Sequence, residues 1–320
     1  MQSKVLTNAQ IEQFIELGYV HLEEAFPRKA ALAAQDYLWA QVEKRGVRKQ
    51  DRSTWNQPMV HIREQFDAEE FQVCNTLRLA DAIEDVVGAG RWKERSVYGQ
   101  EGDKTLWGWW PVNFAAGADQ PWDVPTNGWH WDGMSRPHYV DSPEQGLLLL
   151  CIFSDIGMRS GSTLVAEGSH KIVSKLLAEH GDGPMAGEAI QLANRSHPWL
   201  RELTNTKESD TGAVDVYADG AAAQAAPAAE AGNRVAAFME REHADADGFR
   251  LRVVETPASA GDVLLCHPFL YHCASQNHSG VPRFMCNRAT PLVRRMNLNR
   301  ANPAEYSPLE LSVRQSFVRA

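Results

Sequence analysis

Apolar positions at a helical period open the chain: Ile11, Phe14 and Ile15 share one face behind the capping-box pair Thr7 and Gln10, and Gly18 ends the run. Tyr19, Val20, His21 and Leu22 then alternate as a strand. Helical patterns recur at about 28–45 and 68–87, and Ser169 reads as the N-cap of a helix through Ile172, Leu176 and Leu177 that Gly181 stops. Elsewhere the helical period gives way to short apolar runs. Segments 146–154, 162–166, 249–255, 262–266 and 283–290 read as strands separated by Gly- and Pro-bearing turns. Short strands with helices at their flanks predict a mainly β, α+β chain whose closed β core has helices packed outside.

Composition narrows the class. The 320 residues are 43% hydrophobic, enough for one large core or two modest domains, and the net charge of -9 argues against nucleic acid or an anionic membrane as the main partner. Neither a signal peptide nor an apolar run of transmembrane length is visible, so a cytoplasmic protein is expected. The five cysteines, Cys74, Cys151, Cys266, Cys273 and Cys286, lack paired metal-site spacing and read as reduced, buried thiols.

The candidate chemistry lies at His130 and Asp132. In the segment 128–133 bulky aromatics alternate with polar residues between glycines, as on a short strand, where residues i and i+2 share a face. A second His-x-Asp, His243 and Asp245, sits in a polar stretch and reads as a solvated helix end or loop. Downstream, an apolar strand ends in His272, and a polar turn leads to Arg283 at the start of another. Two imidazoles and one carboxylate form the facial set that holds iron(II) with open positions. Arg283 suits a carboxylate-bearing cosubstrate, because a guanidinium binds carboxylate in a bidentate manner and stays charged when buried. His267 is a rival distal ligand, although its odd separation from His272 puts the two on opposite faces of a regular strand.

These residues resemble the phytanoyl-CoA dioxygenase family of iron(II)/2-oxoglutarate oxygenases. The resemblance rests on His130 and Asp132, a glycine-rich segment from Gly161 to Gly168-Ser169-His170, and His272 followed eleven residues later by Arg283 after Asn277, Ser279 and Pro282. It extends from about residue 5 to about 292, with a gap near 205–248. It implies a double-stranded β-helix (jelly-roll, cupin-like) core and the cofactors Fe(II), 2-oxoglutarate and O2. His130, Asp132 and His272 would bind iron, and Arg283 would grip the distal carboxylate of 2-oxoglutarate. Many members carry Ser two residues after the distal His; here Ala274 stands there, leaving Ser275 and Thr163 as candidates for the second carboxylate partner.

The expected organisation is a single oxygenase domain over 1–320: a mainly helical layer at 1–90, the β-helix core at 91–204 and 249–295, and an insertion or lid at 205–248. An Ala-rich tract at 221–231 in that insertion is expected to be little buried. Six of the ten tryptophans, Trp107, Trp109, Trp110, Trp122, Trp129 and Trp131, crowd the approach to His130, favouring a largely hydrophobic substrate cavity. The implied reaction is hydroxylation, or another oxidation, of a small organic substrate with release of succinate and CO2. A zinc hydrolase could use the same three ligands but leaves Arg283 unexplained; a non-catalytic jelly-roll binding protein has no need of all four residues. No basic cluster for a CoA thioester stands out, and oligomeric state is not readable.

Overall fold

The structure, a computed structural model, describes residues 3–98, 104–133, 137–144, 146–214 and 233–317. Helix α1 (Asn8–Leu17) leads into β1 (Tyr19–Leu22), followed by α2 (Arg28–Glu43), β2 (Met59–Ile62), α3 (Glu69–Gln72), α4 (Leu77–Val87) and β3 (Trp110–Asn113). Next come β4 (Leu148–Ile152), β5 (Thr163–Glu167), α5 (Ser169–Glu179), α6 (Ala186–Ser196), α7 (Pro198–Leu203) and α8 (Arg234–Phe238). The chain closes with β6 (His243–Ala244), β7 (Arg250–Glu255), β8 (Val263–Cys266), β9 (His272–Ala274), β10 (Met285–Ala289) and α9 (Pro308–Gln315).

Two four-stranded antiparallel sheets, ordered β1-β8-β4-β10 and β6-β7-β5-β9, stack face to face as a jelly roll. Strand parity sorts their side chains. Leu148, Leu150 and Ile152 of β4, Leu264 and Cys266 of β8, Met285 of β10 and Val165 of β5 pack together between the sheets. Their neighbours Leu149, Cys151, Val263, Leu265 and Cys286 face outward into a core with α1, α2, α4 and α9. Leu164, Leu251, Val253 and Cys273 face outward from the other sheet, under α5, α6 and α7. Because both faces are covered, β4 is apolar throughout and shows no alternation. A fully buried Leu there contributes about 1.5–3 kcal/mol.

Local chemistry sets the element ends. Thr7 and Gln10 form the expected capping box of α1, and Gly18 ends it at φ 90°. A Cβ on Gly18 would lie 2.5 Å from His170 Nδ1, so both backbone and packing require glycine. The helical pattern at 68–87 is two helices, because Thr76 caps α4 by accepting the Leu79 N–H at 3.1 Å. Ser169 is not the cap of α5. Gly168 holds that position at φ 78°, where a Cβ would meet the Arg250 carbonyl at 2.1 Å, and the Ser169 hydroxyl accepts the Tyr271 N–H at 3.0 Å.

The flanks of the 205–248 stretch are built into the fold. Phe238 is buried in the core under α5–α7, Arg234 donates to the carbonyls of Val124 and Leu203, and β6 pairs with β7. His243 is therefore in a short exposed strand rather than a loop or helix end. The Ala-rich tract at 221–231 lies outside the described residues. Among the described residues no helix is long and apolar enough to cross a membrane, and all five cysteines are buried and free.

Candidate metal centre

The segment around His130 is not a regular strand. One antiparallel bridge joins it to β9, with His130 N–H donating to the His272 carbonyl at 3.1 Å and His272 N–H to the His130 carbonyl at 2.8 Å. The aromatic–polar alternation supplies the rest. Trp129 and Trp131 bury in the core under α5–α7, where their indole N–H groups donate to the Pro125 carbonyl and to His138 Nδ1, both at 2.8 Å. His130 and Asp132 belong to neither anchor and turn toward His272.

The three side chains offer ligand atoms all within 4.8 Å of one another. Asp132 Oδ1 is 3.5 Å from His130 Nε2 and 3.8 Å from His272 Nε2. Each imidazole is oriented from behind: His130 Nδ1 meets the Gly128 carbonyl at 2.7 Å and His272 Nδ1 the Leu270 carbonyl at 3.1 Å. Such bonds place the proton on Nδ1 and leave the Nε2 lone pair for a metal. His272 Nε2 is buried without a hydrogen-bond partner, a costly arrangement unless something binds there.

The electrostatics favour the ligating protonation states. Burial pushes the His272 imidazole down to about 4, reinforced by the charge of His130 and opposed by Asp132. For Asp132, burial opposes ionisation, but its polar contacts with His130 and His272 outweigh burial and bring it down to about 2. A neutral imidazole and an ionised carboxylate are what a divalent cation needs. Two nitrogen donors and one carboxylate on one side fit iron(II).

Arg283 lies at the head of β10 and is 2% exposed. Its main chain bridges Asn113 through reciprocal hydrogen bonds of 2.9 and 3.1 Å, which sets β3 beside β10. Its Nη1 points at Met285 Sδ, its Nε has no partner, and among the described residues no acid pairs with it. Burial lowers the guanidinium to about 10. Thr163 Oγ1 approaches the same Met285 sulfur at 3.6 Å. Ser275 is turned elsewhere: its hydroxyl donates to the Ser162 carbonyl at 2.6 Å, away from the face that His272 and Ala274 share with Thr163 and Val165.

His267 stands apart from the cluster. Its Nδ1 accepts the Phe269 N–H at 3.2 Å, and its ring packs 4.7 Å from that of His170 and 6.0 Å from Phe14. Four of the six crowded tryptophans are core: Trp107 and Trp110 pack under the N-terminal helices, and Trp129 and Trp131 under α5–α7. Their density therefore does not argue for an apolar cavity. Trp109 is only partly buried; it stacks on His61 with centroids 5.5 Å apart. One residue near the centre carried no recognisable pattern in the sequence. His138 braces Trp131 and bonds the Gly133 carbonyl at 2.8 Å through Nε2.

The family model for phytanoyl-CoA dioxygenase matches residues 14–285. Among solved structures, HygX from Streptomyces hygroscopicus with nickel and 2-oxoglutarate bound is 14% identical, with 88% of this chain and 86% of that chain covered and a TM-score of 0.46. The non-haem α-ketoglutarate-dependent carbocyclase SnoK from nogalamycin biosynthesis is 13% identical, covering 90% and 85% at a TM-score of 0.45. EctD from S. alaskensis with 2-oxoglutarate and 5-hydroxyectoine is 12% identical, covering 90% and 77% at 0.42. No curated protein sequence matches the chain. With the family model spanning most of its length, the chain belongs to the phytanoyl-CoA dioxygenase family of iron(II)- and 2-oxoglutarate-dependent oxygenases.

Proposed function

We propose that His130, Asp132 and His272 hold the iron(II), that Arg283 and Thr163 take the distal carboxylate of 2-oxoglutarate, and that a single domain carries the whole reaction. With iron(II) bound, O2 would be the oxidant: one of its oxygen atoms goes into succinate as 2-oxoglutarate is oxidised and loses CO2, and the other serves to oxidise a C–H bond of a small organic substrate. This chain's own residues do the holding. The Gly128 and Leu270 carbonyls fix the two imidazoles, and the interior of the sheets keeps Arg283 away from water.

One observation carries the reading: Arg283 is a buried guanidinium with an orphaned Nε and, among the described residues, no acid paired with it. A buried cation costs several kcal/mol unless a partner arrives, and a cosubstrate carboxylate is the partner missing from the fold. A zinc hydrolase or a binding module built on the same cluster has no use for that charge. The test is anaerobic titration of 2-oxoglutarate into the Fe(II)-loaded chain, followed by succinate measurement on admission of O2 with panels of small organic substrates. Binding of 2-oxoglutarate and substrate-dependent succinate are expected; zinc retention without 2-oxoglutarate binding would overturn the reading.

A further inference from the structure

Ser169, the first residue of α5, does not cap its helix; its hydroxyl serves the strand that carries His272. The ladder between β5 and β9 runs from Thr163 opposite Ala274 to Val165 opposite His272. One position further, at Tyr271, half of the next pair forms: the Ala166 N–H donates to the Tyr271 carbonyl at 2.9 Å. In a continued antiparallel ladder the Tyr271 N–H would return to the Ala166 carbonyl. It donates to Ser169 Oγ at 3.0 Å instead. Ser169 and Tyr271 are both fully buried, so the hydroxyl is the acceptor that this N–H requires.

That diversion falls where the distal histidine is set. The Tyr271 N–H and the Leu270 carbonyl are two ends of one peptide group, and the Leu270 carbonyl is the atom that meets His272 Nδ1 at 3.1 Å. A peptide group is planar, so fixing the direction of its N–H fixes that of its carbonyl. Ser169 therefore holds the plane whose other end orients the imidazole. The preceding residues form a turn in which the Leu270 N–H donates to the His267 carbonyl at 3.0 Å, and the His267 N–H reaches the Gly18 carbonyl at 2.7 Å. Neither bond governs the rotation of the Leu270–Tyr271 plane. The post itself is fixed, because the Gly168 N–H ties the start of α5 to the Leu17 carbonyl at 3.1 Å.

We infer, on the reading of His130, Asp132 and His272 as the ligand set, that Ser169 is a positioning residue for the metal centre. Its hydroxyl fixes the Leu270–Tyr271 peptide plane and, through the carbonyl of that plane, the tautomer and direction of the His272 imidazole. The Tyr271 side chain is anchored separately, its hydroxyl donating to Asn194 Oδ1 at 2.9 Å, so what Ser169 adds is the hold on the main chain.

Ni(II) is a suitable probe, since it binds such nitrogen and oxygen donors and does not require turnover. Equilibrium dialysis of the metal-free chain against Ni(II) would compare wild type, Ser169→Ala, His272→Ala and the double variant. Thr76→Ala is the control, because Thr76 also accepts one main-chain N–H, that of Leu79, but at the cap of α4. Loss of a group that orients a metal-ligating imidazole typically weakens metal affinity about 10- to 100-fold. That loss, with a shifted d–d absorption of the bound ion, is expected for Ser169→Ala and not for Thr76→Ala. In the His272→Ala background Ser169→Ala should change the Ni(II) Kd by less than about two-fold, because coupled residues do not add. Ser169→Cys, similar in size but a weak acceptor, replaces Ser169→Ala if the latter does not fold. Unchanged Kd and spectrum in Ser169→Ala, an equal loss in both backgrounds, or the same loss in Thr76→Ala would overturn the positioning role while leaving the metal site standing. Ni(II) binding that is absent from wild type, or equal in wild type and His272→Ala, would overturn the ligand set and the role of Ser169 with it.

Discussion

His130 and His272 face each other across one antiparallel bridge in which each main-chain N–H donates to the other's carbonyl, at 3.1 and 2.8 Å. The two imidazoles are thereby brought to a centroid separation of 4.4 Å by the backbone itself, before any metal contributes. The proposed ligand set is thus preorganised by main-chain hydrogen bonds, which truncation of any one of its side chains leaves in place.

From this follows the ligand series. His130→Ala, Asp132→Ala and His272→Ala should each lose Fe(II) on gel filtration, as measured by metal analysis, whereas His243→Ala and His267→Ala should keep it. His267→Ala should also unfold at lower temperature, because it empties a buried site between His170 and Phe14. Iron lost from His267→Ala but kept by His272→Ala would reverse the assignment.

Arg283 separates stability from function. Burial lowers its guanidinium from the ordinary arginine range to about 10, which corresponds to about 3 kcal/mol against the charged folded form. The sign is that of a base with a depressed pKa: the penalty is present at every pH below about 10 and is relieved only above it. Arg283→Met should therefore match or exceed wild type in urea stability without 2-oxoglutarate. It should also bind 2-oxoglutarate about 30- to 4000-fold more weakly, the cost of removing one partner of a buried charge pair. A 2-oxoglutarate Kd unchanged from wild type would sink the cosubstrate role.

Much of this was legible from side-chain periodicity, and what was not has identifiable causes. Alternation at Trp129–Asp132 pointed to a shared direction for His130 and Asp132, and it held although no regular strand forms, because burial of the two indoles enforces it. The same parity argument, applied along β9, separates Ser275 from His272 and Ala274, and the hydroxyl bond to Ser162 agrees. His138, by contrast, meets the Trp131 indole and the Gly133 carbonyl from a segment without regular structure. Such a contact is set by tertiary packing, and no local pattern around His138 announces it. The tryptophans misled because large aromatics fill cores as readily as they line cavities.

Thr163 and Ser275 can be told apart by their hydroxyls. Thr163 stands on the inner face beside Met285 and Arg283, so Thr163→Val should remove a hydrogen bond to a charged carboxylate, worth about 1.5–3 kcal/mol. That amounts to roughly a 10- to 150-fold weaker Kd for 2-oxoglutarate. Ser275→Ala should leave that Kd unchanged and cost only about 1 kcal/mol of stability through its lost bond to Ser162. The opposite pattern in titration calorimetry would return Ser275 to the site.

The last prediction concerns acid. His170 is fully buried against α1, with its Nε2 3.2 Å from the Ile15 carbonyl, and burial, aided by Lys171, lowers it to about 3. A histidine held neutral in the fold but titrating near 6.5 in the unfolded chain contributes stability that is intact above about 6.5 and lost as pH falls toward 3. Between pH 7.5 and 5 the loss from His170 alone is about 2 kcal/mol, since each unit below 6.5 costs about 1.4 kcal/mol. His267, also lowered by burial, adds a loss of the same sign. Urea denaturation of the metal-free chain at both pH values should therefore show a marked acid weakening, and His170→Phe, which keeps a ring but cannot take a proton, should reduce that weakening by about 2 kcal/mol. An equal pH dependence in wild type and His170→Phe would mean that His170 is already protonated, or already hydrated, in the folded protein.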